Sequence, residues 1–276
     1  MIRDRFYCPN CQLEERPVLI TTPWYNCPDC NTISKRADLL SKRTAKLVLA
    51  GALVYPTISP VSLGTGTLFD ATQLTTSLVS SPFATKAGDR LVVCVASFLN
   101  GAAPSSVTFT GGNATLAIAV NDGTLFSSIW YTNFADISTN TAVDNAVVTW
   151  AATAPISAAI TVTRLDGSAK TSVLDKTKSS ITTTTLITTG NFANSTLKGD
   201  TAISAIAVLE QLSDTPLRHE QPFVFAARTA TTDGGGSDCS INEGRWTNAT
   251  GIYAARATQS LSIQAAIAAA SFKAAP

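Results

Sequence analysis

The chain has 276 residues, with 20 basic against 19 acidic side chains, one histidine and one methionine. That balance offers no global charge to a nucleic acid or a membrane surface, and a single histidine removes most Ser-His-Asp and metal-enzyme arrangements. Only 14% of residues are charged, against a usual figure of about 25%; Thr, Ser and Ala fill the deficit, as in all-β proteins covered by neighbours or built to survive outside cells.

The N-terminal segment carries Cys8-Pro9-Asn10-Cys11, then fifteen residues, then Cys27-Pro28-Asp29-Cys30. A C-x2-C…C-x2-C pattern at this spacing reads as a zinc ribbon. Each C-x-x-C half places two sulfurs on one side of a tight knuckle, and two facing knuckles set four thiolates at the corners of a tetrahedron, which suits Zn²⁺. Pro9 and Pro28 occupy a position that needs no amide donor and pre-set φ there. Four protein ligands leave no open position, so the metal read from Cys8, Cys11, Cys27 and Cys30 is structural. The competing reading is a pair of disulfides, which belong to secreted chains; the opening residues MIRDRFY have no apolar stretch or cleavage site of a signal peptide. Cys94, in an apolar run, and Cys239, in a polar loop, are expected as free thiols. The ribbon is placed at 1–34, with short strands around 16–21 and Trp24 and Tyr25 as apolar cover, and zinc supplying most of its folding free energy.

A connector follows over 35–63. Lys35, Arg36, Lys42, Arg43 and Lys46 make it basic, and Leu39, Leu40, Leu47 and Val48 recur at a helical spacing, which predicts a short amphipathic helix stopped before Pro56 and Pro60. It reads either as a solvated linker or as a docking segment; in the second case Trp24, Lys35, Arg36, Lys42 and Arg43 make the contact. No run of eighteen apolar residues is present, so no membrane-spanning helix is expected.

From 64 to 276 the pattern predicts an antiparallel β-sandwich. Short β-prone runs recur at 67–71, 90–98, 106–110, 116–120, 125–132, 146–151, 158–165, 181–186, 201–209, 223–228, 250–257 and 262–272. Turn signals such as Asn100-Gly101, Asp122-Gly123 and Asp166-Gly167 separate them and supply the positive-φ residues that hairpins need. About a dozen short strands with regular turns predict a sandwich or barrel, and no helical pattern alternates with them as a parallel α/β sheet would require. The continuous apolar runs 91–96 and 202–209 read as central strands. The alanine-rich 265–270 admits a helix, but its flanks favour a closing strand. The region is read as one sandwich, with two smaller sheet units over 61–165 and 170–276 as the alternative.

Four segments, GDRLVVCVAS at 88–97, SSIWYTNFAD at 127–136, ITVTRLDG at 160–167 and AAIAAASFK at 265–273, resemble consecutive strands of the jelly-roll-like or immunoglobulin-like sandwiches found on phage particles and some bacterial surfaces. The resemblance covers about Phe69 to Lys273, leaves the ribbon outside it as an added attachment module, and carries no catalytic residues.

No other motif competes strongly. His219, in the polar stretch 217–222, reads as a surface-loop histidine. Asp233, Asp238 and Glu243 flank a Gly-rich stretch but match no calcium-loop spacing. Trp130, Trp150, Trp246 and Tyr253 are candidates for a sugar platform; Trp130 and Trp150 read as core, and Trp246, in a loop-like context, is the better exposed candidate. The expected function is that of a non-enzymatic phage virion structural protein, a capsid cement or decoration protein docked through the zinc ribbon. It would be made in the host cytoplasm, partnered with other capsid or tail subunits and present as an oligomer or in many symmetric copies. The alternatives are a tail or fibre protein binding host-surface glycans, and a cytoplasmic zinc-ribbon protein associated with nucleic acid.

Overall fold

The computed structural model describes residues 57–98, 103–151, 154–195, 199–210, 217–232, 237–247, 249, 251–260 and 262–275, together with four short strands nearer the N-terminus. The chain divides into two compact units, 1–55 and 56–276. In the first, β1 (Phe6–Tyr7) pairs antiparallel with β4 (Leu40–Ser41), and β2 (Trp24–Asn26) with β3 (Ile33–Lys35). The helix expected around 39–48 lies outside the described residues except for Leu40 and Ser41, which belong to β4.

The second unit is all-β among its described residues, and its strands fall into two consecutive sets. The first set is β5 (Ser59–Phe69), β6 (Ser77–Val79), β7 (Phe83–Thr85), β8 (Leu91–Phe98), β9 (Ser106–Phe109), β10 (Gly112–Asn113), β11 (Thr115–Asn121), β12 (Leu125–Tyr131), β13 (Thr141–Asp144), β14 (Val147–Thr149) and β15 (Ser157–Asp166). The second is β16 (Leu174–Thr182), β17 (Leu186–Thr188), β18 (Phe192–Ser195), β19 (Thr201–Glu210), β20 (Arg218–His219), β21 (Val224–Ala230), β22 (Asp238–Thr247), β23 (Gly251–Tyr253), β24 (Arg256–Thr258) and β25 (Ala265–Phe272). β5 begins within the stretch read as connector: its Gly, Ser, Thr and Pro content hides a strand that only pairing with β15 reveals.

The two sets have the same topology. One five-stranded sheet runs β11-β12-β8-β15-β5 and the other β21-β22-β19-β25-β16; the smaller sheets run β9-β14-β6, extended by β10, and β20-β24-β17. If the shared strands are numbered 1 to 8 along each half, both large sheets read 5-6-3-8-1 and both small ones 4-7-2. The two-stranded pairs β7–β13 and β18–β23 also fall in matching places.

Register repeats as well. Each strand 3 follows a Gly-Asp pair whose glycine has positive φ, 84° at Gly88 and 101° at Gly199, a conformation that favours glycine. Seven residues on, Val95 and Ile206 face the isoleucines of two Ala-Ala-Ile runs, Ile160 and Ile267. Strand 5 carries a bulge at the same place in each half: between Leu116 and Ile118 opposite Trp130 and Ile129, and between Phe225 and Ala227 opposite Gly244 and Glu243. Strand 5 is one of the two edges of each large sheet, and bulges there discourage pairing with foreign strands.

Three apolar cores separate four layers. Val93, Trp130, Val148 and Trp150 belong to the core between the first large sheet and its small sheet, and Ile206, Phe223, Tyr253 and Ile267 to its counterpart in the second half. The third core lies between the two large sheets and is built largely from small residues, among them Cys94, Ala96, Ala159, Ala205, Ala207, Ala266, Ala268 and Ala270. Small side chains bring the sheets close enough for the Ser127 hydroxyl to donate to the Ala205 carbonyl across the gap, at 2.9 Å. The alanine run 265–270 is therefore an interior strand rather than a helix, placed between β16 and β19. The stacking is reciprocal: β12 lies over β25 and β15 over β22, while β11 lies over β16 and β5 over β21. Strand 6 thus meets strand 8, and strand 5 meets strand 1, in both directions. That is the signature of an isologous, twofold-like pairing, made here within one chain.

Candidate functional site

The sequence points first to the four N-terminal cysteines. Cys8, Cys11, Cys27 and Cys30 lie outside the described residues, as do Arg36, Lys42 and Arg43. The strands beside them are described. β1 ends at Tyr7, immediately before Cys8, and β2 and β3 pair with Asn26 opposite Ile33, so the residues joining them, 27–32, include the second cysteine pair. Trp24 and Lys35 are register partners in this hairpin. Among the described residues no group of three or more His, Cys, Asp or Glu side chains comes together. Cys94 is fully buried, and burial, then the charge of Glu243, raises its thiol pKa well above the ordinary value. It has neither the exposure nor the electropositive setting of a reactive thiol. Cys239, expected in a polar loop, is fully buried on β22.

β22 is a long strand that no predicted run covers. Asp238, Asn242, Glu243 and Arg245 gave it a loop-like texture, yet it is paired on both sides, by β19 and β21. Its odd-numbered residues face the other large sheet and its even-numbered ones the small-sheet side. Glu243 is completely buried between the two large sheets. Its carboxylate accepts from Thr161 Oγ1 at 2.8 Å and from Thr163 Oγ1 at 2.8 and 3.0 Å, and pairs with Arg245 Nε at 2.6 Å. Arg245 also donates through Nη2 to Thr163 Oγ1 at 2.7 Å and Ser62 Oγ at 2.8 Å, and through Nη1 to the Pro60 carbonyl at 3.4 Å. Among the described residues this guanidinium is engaged by Glu243, Thr163, Ser62 and the Pro60 carbonyl, so the cluster acts as a structural tie. Alternation was the available signal: Cys239, Ile241, Glu243 and Arg245 share one face.

On the other face, His219 is not a surface-loop residue. It lies on β20 opposite Ala257, and a Cβ on Gly244 would run into its ring and stand 2.6 Å from Ser204 Oγ. Among the described residues neither ring nitrogen has a hydrogen-bond partner, and burial pushes its pKa down to about 4. A neutral imidazole wedged over a glycine serves packing.

Trp130 and Trp150 are core residues, as expected. Trp246 is half-buried, with its ring edge-to-face on Tyr253 at 4.6 Å, and it lines an open cleft of about 290 Å3 with Pro60, Pro222, Val224, Phe225 and Arg245. Tyr253 itself is buried. Asp238 and Glu243 point to opposite faces of β22 and Asp233 lies outside the described residues, so the three do not form a calcium site.

The chain matches no protein-family model, no curated protein and no solved structure. Its own geometry is therefore what bears on function. No helix among the described residues is long and apolar enough to cross a membrane.

Proposed function

We propose that the chain is a non-enzymatic structural protein of a phage virion, a capsid cement or decoration protein that docks through a structural zinc ribbon. The observation that carries this reading is the repeated strand order. A jelly roll sets strands 1-8-3-6 against 2-7-4-5; each half here has 1-8-3-6 against 2-7-4, with strand 5 transferred to the larger sheet beside strand 6. Jelly rolls are used in capsid and lectin domains, and the support is at the level of fold. Two such sandwiches pressed together leave their small sheets and loops facing outward for neighbours. The chemistry of the donor set favours zinc: four cysteines in two C-x2-C pairs, one of them in the connection of the β2–β3 hairpin, offer a tetrahedral thiolate set with no open coordination position. In this reading Cys8, Cys11, Cys27 and Cys30 hold the metal, and Trp24, Lys35, Arg36, Lys42 and Arg43 make the docking contact, Trp24 and Lys35 standing opposite each other in the hairpin.

The test is metal content with particle incorporation. The purified chain is expected to carry one zinc per copy by elemental analysis, lost when Cys27 and Cys30 are both replaced by serine. Deleting 1–34 is expected to leave the β region folded and unable to join its particle. Zinc-free protein with oxidised cysteines, or full incorporation after the deletion, would sink the docking role. A second reading, a tail or fibre protein binding glycans, is favoured by the half-buried Trp246 on its open cleft. It predicts quenching or enhancement of Trp246 fluorescence by surface saccharides, absent in Trp246→Phe.

A further inference from the structure

The twofold-like pairing of the halves poses a problem of partner choice. Each large sheet presents nearly the same strand order and small-residue face, so a half from one chain has the geometry to pair with the same half of another. Such exchange between protomers is the domain-swapping failure mode of multidomain and repeat proteins. The two corners of the interface differ in one respect. Register makes Ile129 and Tyr131 the counterparts of Glu243 and Arg245, because Ile129 faces Cys94 on strand 3 as Glu243 faces Ala205. It likewise makes Ala268 and Ala270 the counterparts of Thr161 and Thr163. At one corner Glu243 is received by Thr161, Thr163 and Arg245. At the other, Ile129, Ala268 and Ala270 share the apolar core, and Tyr131 packs on Phe272 with ring centroids 6.0 Å apart.

We infer that the Glu243–Arg245–Thr161–Thr163 cluster is a partner-selection device that makes each second half accept only a first half. Two second halves paired through this face would set each Glu243 against Ala268 and Ala270, burying two carboxylates without the hydroxyls that receive them. Two first halves would set Thr161 and Thr163 against Ile129, leaving the hydroxyls without that acceptor. Only the mixed pairing satisfies every group. A buried polar contact that fixes which surfaces pair is the best-attested use of such groups, and it works by penalising the wrong partner.

The test makes the polar corner resemble the apolar one in the full-length chain: Glu243→Ile, Arg245→Tyr, Thr161→Ala and Thr163→Ala together. Wild type and variant are unfolded in urea and refolded over a range of concentrations. Mass is then read by light scattering after size exclusion, and native structure by circular dichroism. The wild type is expected to return to its starting species. The variant is expected to shift, increasingly with concentration, to natively folded dimers and higher multiples joined by exchanged halves. A second variant, Thr161→Ala with Thr163→Ala, keeps Glu243 but removes its receivers, so both pairings become equally poor; it is expected to shift in the same direction. Refolding of both variants to the wild-type species at every concentration would overturn the inference. So would failure of both to regain the native spectrum, because the inference holds that apolar side chains pack this corner as they pack the other.

Discussion

The two halves of the β region share a strand order, a register and even a bulge, but they fill matching positions differently. In the first half Trp130 and Val107 sit where the second has Gly244 and His219. Large-plus-small has become small-plus-large, with the volume handed from strand 6 to strand 4. Facing the other half, the first presents Ile129 and the second Glu243. The lesson is that a topology tolerates local exchange provided each site stays filled and each buried polar group stays satisfied. Where one corner has an isoleucine–alanine contact, the other has a carboxylate together with two threonines and an arginine.

The largest expected effect comes from breaking the polar corner at one member. Arg245→Met leaves the buried Glu243 without its cation and should cost about 3–5 kcal/mol in urea unfolding. If it costs no more than a conservative change at Ile129, the two corners are energetically alike. The second effect concerns pH. The His219 pKa falls from 6.5 to about 4 on folding because burial disfavours the charged ring. The unfolded chain therefore binds a proton more readily between those values. Stability from keeping this ring neutral is fully present above about pH 6.5, falls as pH drops below it, and is gone by about pH 4. Linkage sets that loss at about 3 kcal/mol. Replacing His219 with valine, the first half's residue at this place, should flatten that limb; an unchanged acid limb would show that the ring titrates normally. Third, Gly244→Ala drives a methyl into His219 and Ser204 and should cost about 1–3 kcal/mol. The cost should shrink in the His219→Val background, since neighbouring changes couple; strict additivity would mean that His219 does not set the space above Gly244. The smallest effect is expected from Ile129→Val at the apolar corner, about 0.5–1.5 kcal/mol, read from the same urea curves.

Much of this was legible without coordinates. The continuous apolar runs at 91–96 and 202–209 became β8 and β19, the third strand of each half and the centre of each large sheet. Trp130 and Trp150 were assigned to the core and are there. The alanine run was read as a strand on its flanks and is one. Strands whose composition imitates loops are covered by the predicted runs only at one end or not at all: β5, rich in Gly, Ser and Thr; β16, with two lysines among serines and threonines; and β22, with two acids and an amide. Polar sequence neighbours point His219 and Cys239 to the surface, yet Cys239 is fully buried and His219 is half-buried over Gly244. The stretch 250–257, read as one strand, is two short strands in different sheets. The candidate metal ligands stand on spacing alone, since Cys8, Cys11, Cys27 and Cys30 lie outside the described residues.

The sequence by itself determined that the second unit would be β, roughly where its central strands would run, and which four cysteines have the chemistry to hold a metal. Those properties are local: propensity, alternation, turn residues and ligand spacing act within a few neighbours. The repeated strand order, the face-to-face pairing of the halves and the burial of Glu243 were decided only in three dimensions. The halves share few residues that a linear reading would align, because a fold is preserved by filled volume and matched register rather than by identity. A carboxylate in the middle of a protein is tolerable only when hydroxyls and a guanidinium from distant segments converge on it; Thr161 and Glu243 are eighty-two positions apart in the chain and 2.8 Å apart in the fold.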